Sequence, residues 1–223
     1  MELPRPEKLT FEESLSYLRR LTQVGAMHID ADNEKHKLSL RNAEGQITES
    51  FRPPLPLPGL PEPFDLQAYI AQLPEEMPSY AIALVQLGGA SLGYFEAGEV
   101  TDHKVFKKYM SRRKQGRSQI SYLKTRGKSK AGSRVRLANT YSFFEEINER
   151  LTEWEEEFQP PRILLSCPAQ VWGLMFQSKV PPPFDKKDPR IGWIPTEVHL
   201  PDHEELLRIN RFVQQGWRWG ANV

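Results

Sequence analysis

Apolar positions recur at helical spacing in three places along the chain. In residues 9–24, Phe11, Leu15, Leu18 and Leu21 fall on one face, and Thr10 followed by Glu13 is a capping-box signature. The longest stripe runs Leu137, Tyr141, Phe144, Ile147, Leu151, Trp154 and Phe158, spaced 4, 3, 3, 4, 3 and 4, and Pro160–Pro161 end it. This predicts a long helix with that face in a core. Asp202 with Glu205 predicts a capped helix through Leu206, Ile209, Val213 and Trp217. Between these lie strand patterns. KLSLRNAEGQITESF reads as a hairpin, with Leu38, Leu40, Ile47 and Phe51 on strands and Asn42–Gly45 at the turn. SYAIALVQL, SLGYFEAGEV, HKVFKKY, PRILLSCP and TEVHLP read as further strands, and AQVWGLMFQ as a short helix. Strands joined by tight turns followed by alternating strands and helices predict an α/β domain, a mixed β-sheet flanked by helices.

Two stretches break the pattern. FRPPLPLPGLPEPF carries six prolines from Pro53 to Pro63, must be extended, and cannot pair as a central strand. A stiff connector is the simple reading, with a proline-motif ligand as the alternative. Residues 110–132 have no apolar periodicity and are rich in Gly, Ser, Lys and Arg, which predicts a mobile loop. The expected organisation is therefore a helix-hairpin extension over 1–52, a proline-rich connector over 53–77 and an α/β domain over 78–223.

Of the 223 residues, 39% are hydrophobic and 26% charged, enough for a folded core. No apolar run approaches the ~20 residues of a membrane span, and the N-terminal MELPRPEKLTFEES does not read as a secretory signal. A single cysteine, Cys167, excludes an intrachain disulfide and a multi-cysteine zinc site, and a reducing cytoplasm is the simplest compartment. The net charge of +1 hides a strong segregation. Between His103 and Arg136 there are 13 Lys or Arg and no acid, leaving 17 of the 30 basic residues against all 29 acidic ones elsewhere, a net −12. A polyanionic partner for that segment is the first expectation.

Several familiar-looking sites fail on spacing. Gly88-Gly89-Ala90-Ser91-Leu92-Gly93 is followed by strand rather than helix residues, so it reads as a hairpin turn, not a nucleotide loop. Gly127-Lys128-Ser129 lacks the earlier glycine of a phosphate loop, having Tyr122 there. His199 and His203 are separated by Pro201 and share no helix face, which favours a strand end plus a helix cap over a metal site. Cys167 sits in an apolar strand and reads as a buried thiol, and no Ser-His-Asp set can be assembled by spacing. No clustered carboxylates point to a metal-dependent nuclease. No metal or cofactor is expected.

The basic segment is the informative part. Arg134 and Arg136 are expected in the first turn of the long helix and Glu153, Glu155, Glu156 and Glu157 in its last turns. Each placement opposes the helix dipole by about 0.3–1 kcal/mol. Arginines at a helix start make sense where a phosphate docks. Within the run, Gly116-Arg117-Ser118-Gln119 combines a glycine that permits a tight bend with a neutral carboxamide able to hold a water or a ribose hydroxyl.

Lys114-Gln115-Gly116-x-x-Gln119, then Ala131-Gly132-Ser133, then Arg134 or Arg136 leading into the long helix, resembles the Vms-like release-factor domain family. That family is related to the middle domain of the eukaryotic class-one peptide-release factor. The resemblance covers roughly residues 78–217. It implies a release-factor middle-domain (ribonuclease-H-like) fold, with the loop reaching toward the tRNA acceptor end on stalled large ribosomal subunits. It also implies release of the nascent chain by cleavage at or near the tRNA 3′ end. The glutamine of the family's loop maps onto Gln119, the expected catalytic residue. Lys104, Lys107, Lys108, Arg112, Arg113, Lys114, Gly116, Arg117, Ser118, Lys124, Arg126, Lys128, Lys130, Arg134 and Arg136 are the expected RNA contacts. Two departures stand out. Arg117 follows Gly116, so release-factor Gly-Gly-Gln is absent, and the zinc-finger, ankyrin and segregase-binding parts of eukaryotic members are not expected here. The expected partners are the large ribosomal subunit and tRNA or peptidyl-tRNA, with no membrane; a non-catalytic tRNA- or ribosome-binding factor is the alternative.

Overall fold

In the computed structural model, residues 6–23, 28–108 and 131–220 are described, with backbone alone from 131 to 140. The chain runs β1 (Glu7–Leu9), α1 (Phe11–Leu21), β2 (His28–Asp32), β3 (Lys37–Arg41), β4 (Ile47–Arg52), α2 (Leu66–Ala71), β5 (Tyr80–Gln86), β6 (Gly89–Glu96) and β7 (Glu99–Lys107). It continues through α3 (Ala131–Glu157), β8 (Ile163–Ser166), α4 (Ala169–Met175), β9 (Ile191–Trp193), α5 (His203–Val213) and β10 (Gly216–Gly220).

β5 is apolar on both faces and therefore sits mid-sheet, in the order β7-β6-β5-β8-β9. β5 pairs in parallel with β8, and β8 with β9, while β6 runs antiparallel to both β5 and β7. This is the mixed sheet that the strand pattern predicts. Ala81, Ala83 and Val85 pack with Phe143, Phe144, Ile147, Leu151 and Trp154 of α3 and with Val171 and Met175 of α4. Tyr80, Ile82 and Leu84 pack on the other face with Leu206, Ile209 and Val213 of α5. Helices thus cover both faces.

The expected hairpin is present as β3 and β4. Gln46 N donates to the Asn42 side chain at 2.9 Å, and Gly45 takes a left-handed φ of 79°. α1 carries its capping box, with Glu13 N on Thr10 Oγ1 at 3.2 Å and Thr10 N on Glu13 Oε2 at 2.8 Å. The hairpin belongs to a second five-stranded sheet, β1-β10-β4-β3-β2, which takes its β10 from the far C-terminus. Arg218 on β10 fastens it, its Nε donating to Glu49 at 2.5 Å. The proline segment forms no strand, and it does more than connect. Leu57 and Leu60 are buried against the N-terminal helix and sheet, and Leu55 against α5, so the segment is a packed strap between the two cores.

Four local expectations are corrected. Residues Thr196–Pro201 form no strand, because Pro195 and Pro201 remove ladder donors, and the last strand of the central sheet is Ile191–Trp193 instead. The final helix stops at Val213, and Trp217 lies in β10. There Gly216 passes so close to α1 that a Cβ would lie 2.2 Å from Ser14 Oγ. SLGYFEAGEV is split by a turn at Ala97-Gly98, both with positive φ, and HKVFKKY is the tail of the long β7. On α3, Tyr141 is 41% exposed, and Phe143 takes the buried place.

Two predictions follow from buried polar groups. Asn210 accepts from the Tyr80 hydroxyl at 2.6 Å and donates to Gly98 O at 2.8 Å, tying α5 to the sheet. Asn210→Leu should cost about 2 kcal/mol in urea unfolding, because it strands a buried donor; a cost within error of zero would show the tie to be idle. His36 is buried with its Nε2 unpartnered, and burial first, then nearby Arg162, pushes its imidazole down to about 3. The folded state therefore resists protonation, and stability is lost as pH falls below the ordinary 6.5. His36→Asn suits the left-handed backbone at this site (φ 47°) and removes the titration. The parent should lose about 1–2 kcal/mol more than the variant between about pH 6.5 and 5; parallel pH slopes would contradict this.

Candidate nucleic-acid interface

Because β5, β7, β8 and β9 run in one direction, their C-terminal ends share one edge of the central sheet. Register sets Gln86 against Gly89 and Gly89 against Lys107, and it sets Leu165 against Trp193. Open α/β sheets bind ligands beyond such edges. β7 ends here at Lys107, and the basic segment lies between it and α3, which starts at Ala131. Arg112, Arg113, Lys114, Gly116, Arg117, Ser118, Gln119, Lys124, Arg126, Lys128 and Lys130 lie outside the described residues. Arg134 and Arg136 lie on helical backbone, with their side chains outside the described set. α3 begins at Ala131, so Arg134, its fourth residue, closes the first turn as expected, while Arg136, its sixth, falls in the second.

The stem of the segment is well defined. Lys104 and Lys107 are exposed on β7, an edge strand. Lys104 shares the strand face of Asp102, Phe106 and Lys108. Lys107 shares that of His103, whose ring packs against His203 with centroids 4.2 Å apart. Lys108 is engaged internally. Its Nζ donates to Ser142 Oγ at 2.6 Å and pairs with Glu146, and its backbone N–H donates to Gly88 O at 3.0 Å. Asp102 makes a second link to α3, pairing with Arg150 and accepting from Trp154 Nε1 at 2.9 Å. Burial works to raise the Asp102 carboxyl, but the Trp154 and Arg150 hydrogen bonds outweigh it and hold it below the usual range. These two polar links, with Phe106 buried between their positions on β7, fix the strand to the helix and so fix where the cationic segment starts and ends.

The acids at the end of α3 acquire a local explanation. Glu155 accepts from Arg190 Nη1 at 2.8 and 2.9 Å, and Glu153 accepts from Arg150 at 2.6 Å. Partners thus offset the placement of Glu153 and Glu155 against the dipole, while Glu156 and Glu157 are exposed. Cys167 follows β8 at the same sheet edge, but burial pushes its thiol up to about 12, so it is not a ready nucleophile. His199 and His203 share no site. Glu205 accepts from His199 N at 2.7 Å, and Asp202 caps α5 through Glu205 N at 2.9 Å. The Arg208 hydrogen bond leads in drawing the Glu205 carboxyl down to about 2. Among the described residues, no three His, Cys, Asp or Glu gather where a metal could sit, and no helix is long and apolar enough to cross a membrane.

Sequence reasoning missed Asp102, Ser142 and Glu146 as supports of the stem. The readable signal was Asp102 as the acid next before the basic run, and Ser142 with Glu146 at helical i,i+4 spacing.

The chain is 28% identical over 179 residues to the human protein named tRNA endonuclease ANKZF1, a match spanning 78% of this chain and 24% of that protein. It is 29% identical over 144 residues to the Caenorhabditis elegans protein named tRNA endonuclease vms-1, spanning 63% of this chain and 23% of that protein. The matches thus span about a quarter of these relatives' length. A solved structure described as the Vms1 mitochondrial localization core aligns at 14% identity and a TM-score of 0.44, covering 87% of this chain and 77% of that one. The family model bVLRF1, described as Bacteroidetes VLRF1 release factor, matches residues 80–216, well over half of the chain. The chain therefore belongs to the bVLRF1 release-factor family, as the Gly116–Gln119 and Ala131–Ser133 elements led one to expect.

Proposed function

We propose that the protein is a ribosome-associated, release factor-like enzyme of the cytoplasm. It acts on peptidyl-tRNA of stalled large subunits and frees the nascent chain by cleaving at or near the tRNA 3′ end. One observation carries this reading: the cationic segment joins β7, which ends at the C-terminal edge of the central sheet, to α3, and polar links and a shared core hold that strand and helix together. The names of the two relatives favour tRNA as the polyanion and cleavage as the outcome.

The chemistry follows from the residue types. Lys and Arg neutralise phosphates and position the segment without reading sequence. Gln119 is too weak a base to take a proton, so its role is to orient the attacking group by hydrogen bonds, with the cations stabilising developing negative charge. Attack of a ribose 2′-hydroxyl on the adjacent phosphate breaks the P–O5′ bond, leaving a cyclic phosphate and a free 5′-hydroxyl. Attack of water on the ester instead leaves the tRNA whole and the peptide as a free acid. Gel analysis of the tRNA separates the two.

Gln119→Ala should lower release from stalled complexes by at least tenfold while leaving ribosome association unchanged; full release in the variant would remove the assigned role. Lys104→Glu with Lys107→Glu should weaken tRNA binding and reduce the slope of log affinity on log salt by about 2. Lys108→Met should behave differently, costing about 1 kcal/mol of stability by leaving Glu146 without its partner. The salt slope of Lys108→Met should stay at the parent value. A loss of slope equal to that of one surface lysine would make Lys108 a phosphate contact instead of a stem anchor.

A further inference from the structure

A cleft of about 530 Å³ lies at the opposite edge of the central sheet, where Pro78 leads into β5 and Arg162 into β8. The length of β5 separates it from the basic stem by roughly 20 Å. The strap of residues 53–63 forms one wall, and the segments before β8 and β9 form another. Half of its 14 lining residues are prolines, among them Pro58, Pro61, Pro74 and Pro189. Proline has no N–H, so these walls are largely apolar and offer few backbone donors. Charge in the lining comes from its side chains, Glu62, Arg162 and Arg190.

Among them Arg162 stands apart. It is only 4% exposed, yet it lines the cleft. Nε donates to Leu55 O at 3.2 Å and Nη1 to Pro189 O at 3.3 Å, while Nη2 has no partner among the described residues. No carboxylate pairs with it there. The second arginine of the lining, Arg190, is already spent on Asp188 and Glu155. The acid of the lining, Glu62, is exposed and forms no ion pair with Arg162. Neighbouring His36 stays neutral at physiological pH and adds no second positive charge. Burial draws the guanidinium down to about 10, which still leaves it charged at neutral pH. Buried arginines are usually paired with an anion, and this one is not.

We propose that this cleft is a binding site for a small molecule with an apolar body and one anionic head, a carboxylate or a phosphate, with the head on the guanidinium of Arg162, whose Nη1 lies beside Gly59 of the lining. The body lies against the proline walls, where it displaces water and meets few donors. The site stands apart from the tRNA-directed segment, so the proposal holds or fails independently of the proposed activity.

Titrations of the ¹⁵N-labelled full chain test it, read at the Arg162 Nε–H and Gly59 amide signals. Hexanoate, hexyl phosphate, hexanamide and inorganic phosphate serve as probes. Saturable shifts are expected with hexanoate or hexyl phosphate, at least tenfold weaker with hexanamide, and weaker again with inorganic phosphate. The tighter of the two charged probes identifies the head group. Gln72→Trp, on the exposed rim, should abolish the shifts while leaving thermal unfolding unchanged, which avoids disturbing the Arg162 bonds to Leu55 and Pro189. Hexanamide binding as tightly as hexanoate, no saturable shift with either charged probe, or unaltered binding in Gln72→Trp would each overturn the proposal and leave Arg162 as a tie between two carbonyls.

Discussion

The burial of β5 on both faces is the constraint from which the rest of the architecture follows. Tyr80 through Val85 have no solvent-facing side, so the strand must be central and the sheet must be covered twice. Covering it takes α3 and α4 on one side and α5 on the other. Once both faces are closed, the edges of the sheet are where polar chemistry can sit. The C-terminal edge carries the stem of the basic segment, Lys104 to Lys108, and the opposite edge carries the proline-walled cleft.

The same layering explains why the N-terminal elements cannot be understood from the N-terminal sequence alone. Their sheet needs β10, which arrives only after α5 has crossed the central sheet, and β10 fits only because Gly216 lets the backbone pass against Ser14. The strap reinforces this coupling. Leu55 N donates to Val213 O at 2.9 Å, so the end of α5 is held by the segment that follows β4.

Legibility in the sequence follows the range of the interaction. Local signals were sound: the Thr10–Glu13 capping box and the Asn42–Gly45 turn rest on contacts within a few residues, and the apolar run of β5 and most of the α3 stripe are contiguous patterns that can be read without knowing their distant partners. Errors arose where distant partners decide. Trp217 continues the apolar period of α5, but pairing with β1 and β4 draws it into a strand. Val198 looks like strand, but its carbonyl is taken by the side chain of Gln86 at 2.9 Å. For the candidate site, the charge run and the family elements were visible because they are contiguous. The supports that root them, Asp102, Ser142 and Glu146, are separated in sequence, and Arg162 looked like one more arginine until the strap closed over it.

Magnitudes decide what holds the stem in place. A run of 13 like charges repels itself, and it does so most at low salt. The Lys108–Glu146 and Asp102–Arg150 links are partly exposed, so each contributes on the order of 1 kcal/mol or less, and that contribution weakens as salt rises. Phe143, Phe144 and Ile147 are fully buried beside Phe106, and each contributes about 1.5–3 kcal/mol that salt does not screen. Apolar packing, rather than ion pairing, must therefore set the separation of β7 and α3. The ion pairs then choose the register of the two elements instead of supplying most of the cohesion. Such a division makes the frame formed by β7 and α3 largely insensitive to ionic conditions.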